Sequence, residues 1–152
     1  MLKLTRTYED FDGNERTEDF YFGLMPSELL ELQNSMNGGL SQLLEKLINE
    51  KDIKQIIEYF KKIVLASYGV KSLDGRNFYK DEQIRKEFIS TTAYSDIFMD
   101  LATDSDAAAK FVKGILPSEE AMKKYKEKLE ANNKAVAAKE NSDIKVVEIE
   151  NK

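Results

Sequence analysis

Hydrophobic and polar residues alternate through most of the first 24 positions, and from Pro26 onward the apolar spacing becomes that of a helix. The segments Leu2 to Asp10 and Asn14 to Leu24 flank Phe11-Asp12-Gly13, and Asp-Gly between alternating runs predicts a β-hairpin over residues 2–24. Leu2, Leu4 and Tyr8 share one parity, and Phe20, Phe22 and Leu24 share theirs. A three-residue loop with a left-handed Gly13 sets Leu2 opposite Phe22 and Leu4 opposite Phe20, with both apolar sets on one face. A two-residue Asp12-Gly13 turn would place them on opposite faces, and such a slip is costly when one face is buried. The three-residue loop is therefore expected, leaving Lys3, Thr5, Thr7, Glu9, Thr17, Asp19 and Tyr21 to water.

Pro26 suits a first helical position, and Leu29, Leu32 and Met36 follow at helical spacing until Asn37-Gly38-Gly39 stops the run. A second short helix carries Leu40, Leu43, Leu44, Leu47 and Ile48. Asp52, with Gln55 three residues on, resembles a capping box and opens the clearest helix of the chain. Its stripe of Ile53, Ile56, Ile57, Phe60, Ile63 and Val64 runs to Ser67-Tyr68, with Gly69 as its C-terminal stop. One continuous core helix over 53–68 is the expectation. Ser72-Leu73-Asp74-Gly75-Arg76 predicts a second small hairpin ending in Phe78-Tyr79.

Asp81 then caps a helix with Ile84, Phe88 and Ile89. Ser90-Thr91-Thr92 interrupts or restarts it, and Tyr94, Ile97, Phe98 and Leu101 continue the pattern. Asp104 or Asp106 caps a further helix with Ala108, Phe111, Val112 and Ile115, closed by Leu116-Pro117.

Beyond Pro117 the large apolar residues thin out to Met122, Tyr125, Leu129 and Val136 in a segment of strong helix formers, 118–140. Asn141-Ser142-Asp143 should break that helix, and Ile144, Val146, Val147 and Ile149 predict a short strand-like tail. The expected class is mainly α (α+β): an N-terminal β-hairpin, a compact multi-helix domain and an extended charged C-terminal helix or tail. The expected division is a globular domain over 1–117 and an extended helical, partly disordered arm over 118–152. Such an arm buries little surface, so a partner must offset its ordering entropy; a frayed terminus is the alternative.

Composition narrows the chemistry. The 152 residues contain no His and no Cys, which excludes disulfides, thiol nucleophiles, Ser-His-Asp triads and any general base titrating unperturbed near neutrality. A net charge of −5 argues against nucleic acid as the main partner. No apolar run approaches the roughly 18 residues of a membrane span, and Met1-Leu2-Lys3-Leu4-Thr5-Arg6 lacks the core of a signal peptide, so synthesis in the cytoplasm is expected. Counted as a calcium loop from Asp10, the sixth and twelfth positions hold Glu15 and Tyr21 where Gly and Glu are needed, so Asp10 to Asn14 reads as a turn. Asn37-Gly38-Gly39-Leu40-Ser41 lacks the spacing and the lysine of a phosphate loop. Lysines at 123, 124, 126 and 128 alternate with Glu119, Glu120, Glu127 and Glu130 as on a solvated helix face. No catalytic residue, cofactor or metal site is expected.

The candidate contact residues are aromatics out of phase with the core and the sparse apolar positions of the arm. The first group is Phe11, Tyr21, Phe78 and Tyr79; the second is Met122, Tyr125, Leu129, Val136, Val146 and Val147. Exposed aromatics serve as interface anchors, although singly exposed ones are also ordinary.

One set of segments is familiar as a unit. It comprises Thr17 to Phe22, Gly38-Gly39-Leu40, Tyr68 to Ser72, Asp74 to Phe78, Glu87-Phe88, Thr92 to Ser95 and Phe111 to Pro117. This set resembles the tail assembly chaperones of bacteriophages with long non-contractile tails, over about residues 5–117, with the tail after Pro117 outside the resemblance. The resemblance implies a non-enzymatic protein that coats the tape measure protein, keeps it soluble and helps tail tube protein polymerise around it. It implies action in the host cell cytoplasm and absence from the mature virion. It also implies that this chain is the shorter of two products where the gene frameshifts near its 3′ end. Self-association is a further expected contact, with nucleic acid, membrane and metal expected to play no part. The alternative is a structural virion protein such as a head–tail connector component. A small enzyme or nucleic-acid-binding regulator fits the absent His and Cys and the acidic balance least.

Overall fold

The computed structural model describes residues 1–35 and 53–150, with the side chains of 33–35, 53, 56 and 142–150 outside the description. The elements are β1 (Leu2–Glu9), β2 (Glu15–Phe22), α1 (Pro26–Ser35), α2 (Ile53–Ser67), β3 (Tyr68–Lys71), β4 (Phe78–Tyr79), α3 (Glu82–Ile89), α4 (Thr92–Thr103), α5 (Ser105–Ile115) and α6 (Glu119–Glu150). The fold is α+β, with helix dominant and the strands joined in one antiparallel sheet of order β1-β2-β3-β4. Met36, the stop at Asn37-Gly38-Gly39, the helix over Leu40 to Ile48 and the cap at Asp52 lie outside the described residues. The chain divides into two units, Met1–Pro117 and Ser118–Lys152.

The hairpin takes the expected register. Leu2 pairs with Phe22 and Leu4 with Phe20, and Gly13 sits at φ 81° in the three-residue loop. Asp10 holds that loop closed. Its carboxylate accepts the N–H groups of Asp12 at 3.0 Å and Asn14 at 2.9 Å, and pairs with Arg16 at 2.7 Å. Across the outer face the Thr7 and Thr17 hydroxyls lie 2.9 Å apart, a cross-strand pair of the kind that holds a wet sheet face.

The expectation for Gly69 is overturned. Helix α2 ends at Ser67, and Tyr68 and Gly69 open strand β3, which pairs with Phe22 and Tyr21 of β2. Gly69 is not a left-handed cap; Gly13 and Gly75 are the glycines of positive φ among the described residues. Instead it makes room. A Cβ there would lie 2.7 Å from the Phe78 ring and 2.9 Å from the Tyr79 carbonyl oxygen. Strand pairing wins because it delivers the Tyr68 ring to Phe22 and Phe88, which a further helical turn would not do. The second hairpin forms as expected, with Val70 opposite Tyr79 and Lys71 opposite Phe78.

The α2 stripe is buried at Phe60, Ile63 and Val64, while Ile57 is 41% exposed. Asp81 and Thr91 each cap a helix, their side-chain oxygens accepting from Ile84 N and Tyr94 N, so Thr91 restarts the chain into α4. Asp104 caps α5 by accepting from Asp106 N and Ala107 N. Two bonds tie α4 to β1: Thr92 donates to the Glu9 carbonyl at 2.6 Å, and Arg6 pairs with Asp100 at 2.8 Å.

The strand-like tail is also overturned. Helix α6 continues through Asn141-Ser142-Asp143 and includes Ile144 to Ile149. A short strand needs a neighbour for its backbone groups, whereas extending an existing helix satisfies them within the segment at no new nucleation cost. Ser118 starts this helix, its hydroxyl accepting from Ala121 N at 3.3 Å, and Glu119 and Glu120 complement the helix dipole.

The core of the first unit is aromatic. Phe22, fully buried, meets Tyr68, Phe88 and Phe111 with ring centroids 5.6, 5.9 and 5.2 Å away. Phe88 also meets Phe20 and Tyr94, and stacks on Tyr68 at 3.8 Å. The chain after β2 is fastened beside this cluster, with Gly23 N–H donating to the Ser67 carbonyl and Leu24 N–H to the Ile115 carbonyl, both at 2.8 Å. Lys80, whose side chain is 6% exposed, closes the corner by donating to the Gly23 carbonyl and pairing with Glu28 at 2.8 Å. Burial pulls its ammonium below the usual 10.5, and the Glu28 carboxylate opposes that shift.

Phe22→Ala should therefore cost about 3–5 kcal/mol in denaturant unfolding. Phe11→Ala, at a residue 81% exposed, should stay within about 0.5 kcal/mol.

Candidate partner-binding surfaces

The residues singled out for contact fall into separate places. Phe11 stands at the β1–β2 tip with 81% of its surface exposed, on the loop that Asp10 closes with its hydrogen bonds. Tyr21 and Phe78 are half-buried and come together around Gly69: Tyr21 is its strand partner, and the Phe78 ring covers it. Each ring carries a lysine ammonium, Lys71 at 4.5 Å from Tyr21 and Lys80 at 5.1 Å from Phe78. These two aromatics are thus engaged within the sheet. Tyr79 is 50% exposed and stands opposite Val70, itself 44% exposed.

Helix α6 carries the second group. Met122 is half-buried, and Tyr125, Leu129 and Val136 are 45%, 40% and 49% exposed. Their spacing of three, four and seven residues puts them on one face, an apolar seam through a polar helix. Val146 and Val147 belong to the same helix, with side chains outside those described.

Among the exposed large apolar residues outside the candidates, such as Met25, Met99 and Leu73, the most exposed is Leu73. Leu73 is fully exposed at the tip of the β3–β4 turn. A signal was present, since Phe11-Asp12-Gly13 and Leu73-Asp74-Gly75 share the order apolar, Asp, Gly. The turns are also built alike. Gly13 and Gly75 have φ of 81° and 74°, and each donates its N–H to the carbonyl three residues back. Asp74 accepts from Arg76 N and the Ser72 hydroxyl much as Asp10 accepts from its own loop. Because β2 and β3 are antiparallel neighbours, both turns point toward the same end of the sheet.

The electrostatics around the first tip are local. The Arg16 guanidinium and then the Asn14 N–H hold the Asp10 carboxyl below its ordinary 3.8. Nearby, the Tyr8 hydroxyl donates to Glu18, and that bond, with burial, pushes its pKa up to about 12. Among the described residues no group of three or more His, Cys, Asp or Glu could hold a metal ion, and no helix is long and apolar enough to cross a membrane.

These surfaces offer exposed apolar side chains on hydrogen-bonded turns and along a helix. The chain belongs to the phage tail assembly chaperone family, whose model matches residues 1–151. No curated protein and no solved structure matches it significantly. The match runs through α6, which corrects the expectation that the segment after Pro117 lies outside the family pattern.

Asp10 also makes a testable contribution. Its lowered pKa means that the stabilisation it supplies is present above its unfolded value of 3.8 and is lost as pH falls through its lower folded value. The stability gap between the natural chain and Asp10→Asn, measured by urea unfolding, should be widest near neutrality and should close well below pH 3.8.

Proposed function

We propose that the chain binds the tape measure protein of a phage with a long non-contractile tail, keeps it soluble, and promotes assembly of tail tube protein around it. It works in the host cell cytoplasm, without catalysis, and is absent from the mature virion. The observation that carries this reading is family membership over residues 1–151, a span that includes the exposed seam of α6. A tape measure protein is long, helical and prone to aggregate until the tube encloses it. Its chaperone must cover apolar surface and still release it. Residues Tyr125, Leu129 and Val136, each 40–49% exposed at helical spacing, suit side-by-side contact with another apolar-seamed helix. So sparse a seam supplies weak contact, which favours displacement. The absence of His and Cys is consistent with a role that needs no acid–base or thiol chemistry.

Co-expression with the tape measure protein tests this. The full chain should raise the soluble fraction of that partner, and a chain ending at Pro117 should fold with nearly unchanged thermal stability yet fail to do so. Mass spectrometry of purified virions should find the chain absent. Solubilisation retained by the shortened chain would move binding to the first unit, and stoichiometric presence in virions would favour a structural component such as a head–tail connector.

A further inference from the structure

The chain holds two Asp-Gly bonds, Asp12-Gly13 and Asp74-Gly75, one in each turn of the sheet. An aspartyl carboxyl that precedes glycine can cyclise, because glycine has no Cβ to hinder attack by its own nitrogen. The glycine nitrogen adds to Cγ of the protonated carboxyl, its amide proton passes to solvent, and the carboxyl hydroxyl leaves as water. The product is a succinimide ring, which water then opens at one of two carbonyls. Opening at Cγ restores aspartate. Opening at the backbone carbonyl leaves isoaspartate, whose main chain runs through Cβ and Cγ. One water is lost and one regained, and no oxidant or reductant takes part.

The two turns hold the attacking nitrogen alike. Gly13 and Gly75 have φ of 81° and 74°, and their N–H groups donate to the carbonyls of Asp10 at 3.0 Å and Ser72 at 2.9 Å. A Cβ on Gly13 would meet only the Glu9 carboxylate, 3.9 Å away, and one on Gly75 would meet nothing within 4 Å. Neither glycine is shielded. The carboxyls differ. Asp74 accepts from the Ser72 hydroxyl at 2.6 Å and from Arg76 N–H at 3.1 Å. Those two bonds, the one from Ser72 foremost, hold its pKa below the ordinary 3.8 and keep it in the carboxylate form, which is the poorer electrophile. They also tether the side chain, so cyclisation must break both. In the first turn Asp10 does the tying, taking the N–H groups of Asp12 and Asn14. The exposed Asp12 carboxylate accepts no hydrogen bond and makes no ion pair among the described residues.

We propose that Asp12 is a site of spontaneous isoaspartate formation, and that Asp74, with the same dipeptide in the same kind of turn, is protected by Ser72 and Arg76. The modified bond adds one backbone atom between Phe11 and Gly13. Asp10 then has a longer loop to close, and the tip that carries the exposed Phe11 loses its present shape. This covalent ageing of the tip needs no partner and is independent of the function proposed above.

The test is prolonged incubation of the full chain at neutral pH in water enriched in heavy oxygen, followed by peptide mapping with electron-transfer fragmentation. That method separates isoaspartate from aspartate, and each passage through the ring leaves one heavy oxygen atom at the site. Breaking one hydrogen bond slows a reaction about fivefold, so with two to break at Asp74 conversion at Asp12 should be about tenfold or more faster. Ser72→Ala should speed conversion at Asp74 about fivefold and leave Asp12 unchanged. Asp12→Glu should abolish conversion at that position, because a longer side chain does not close the same ring. In guanidinium chloride the natural chain should convert at the two sites at similar rates, since the protection belongs to the fold. Equal rates in the folded chain, faster conversion at Asp74, or a gap that persists after unfolding would overturn the proposal. So would a folded chain unmodified at Asp12 over a time in which the unfolded chain converts there.

Discussion

The first unit depends on the contact between Phe22 and Phe88. Phe22 belongs to the sheet and Phe88 to α3, and their ring centroids lie 5.9 Å apart in an edge-to-face arrangement. Around that contact gather Phe20 from β2, Tyr68 from β3, Tyr94 from α4 and Phe111 from α5. With Tyr8 of β1 packed on Phe20, strands β1, β2 and β3 and three of the helices each anchor a ring in one cluster. Aromatic packing is directional as well as apolar, so such a cluster sets the angle between elements as well as burying them. The cap residues Asp81, Thr91 and Asp104 then end and restart the helices where their rings must arrive.

How far the sequence discloses this depends on the kind of signal. Parity is a strong one: only an odd loop puts Leu2, Leu4, Phe20 and Phe22 on one face, and the register follows. The caps are equally local, because each is a side chain bonding a backbone N–H two or three residues away. Strand β3 is different. Tyr68-Gly69-Val70-Lys71 has no pattern that separates a strand from the end of a helix, and what decides is Phe22, 46 positions earlier in the chain. The same limit applies to Ile144 to Ile149, where β-branched residues suggest a strand but no sheet edge is written nearby. Among the candidate contact residues, Phe11 and Tyr79 are exposed as their phase implies, and so are Tyr125, Leu129 and Val136 of the sparse α6 stripe. Tyr21 and Phe78 are not: the Phe78 ring fills the space above Gly69, and the Tyr21 ring lies under the Lys71 ammonium.

This arrangement separates stability from contact. The residues that hold the first unit together are buried aromatics and short backbone links such as Gly23 to Ser67. Those available to a partner are Phe11, Leu73 and the seam of α6, which contribute little to that core. A tail assembly chaperone built this way can gain and lose contacts without unfolding.

The central claim is that α6 meets the partner while the aromatic unit only carries it. Hydrogen–deuterium exchange, comparing the full chain alone with its co-purified complex with the tape measure protein, tests this most directly. The account predicts added protection across residues 119–141 and none across β2, β3 and α3. Added protection confined to the sheet and α3 to α5, with α6 unchanged, would contradict it.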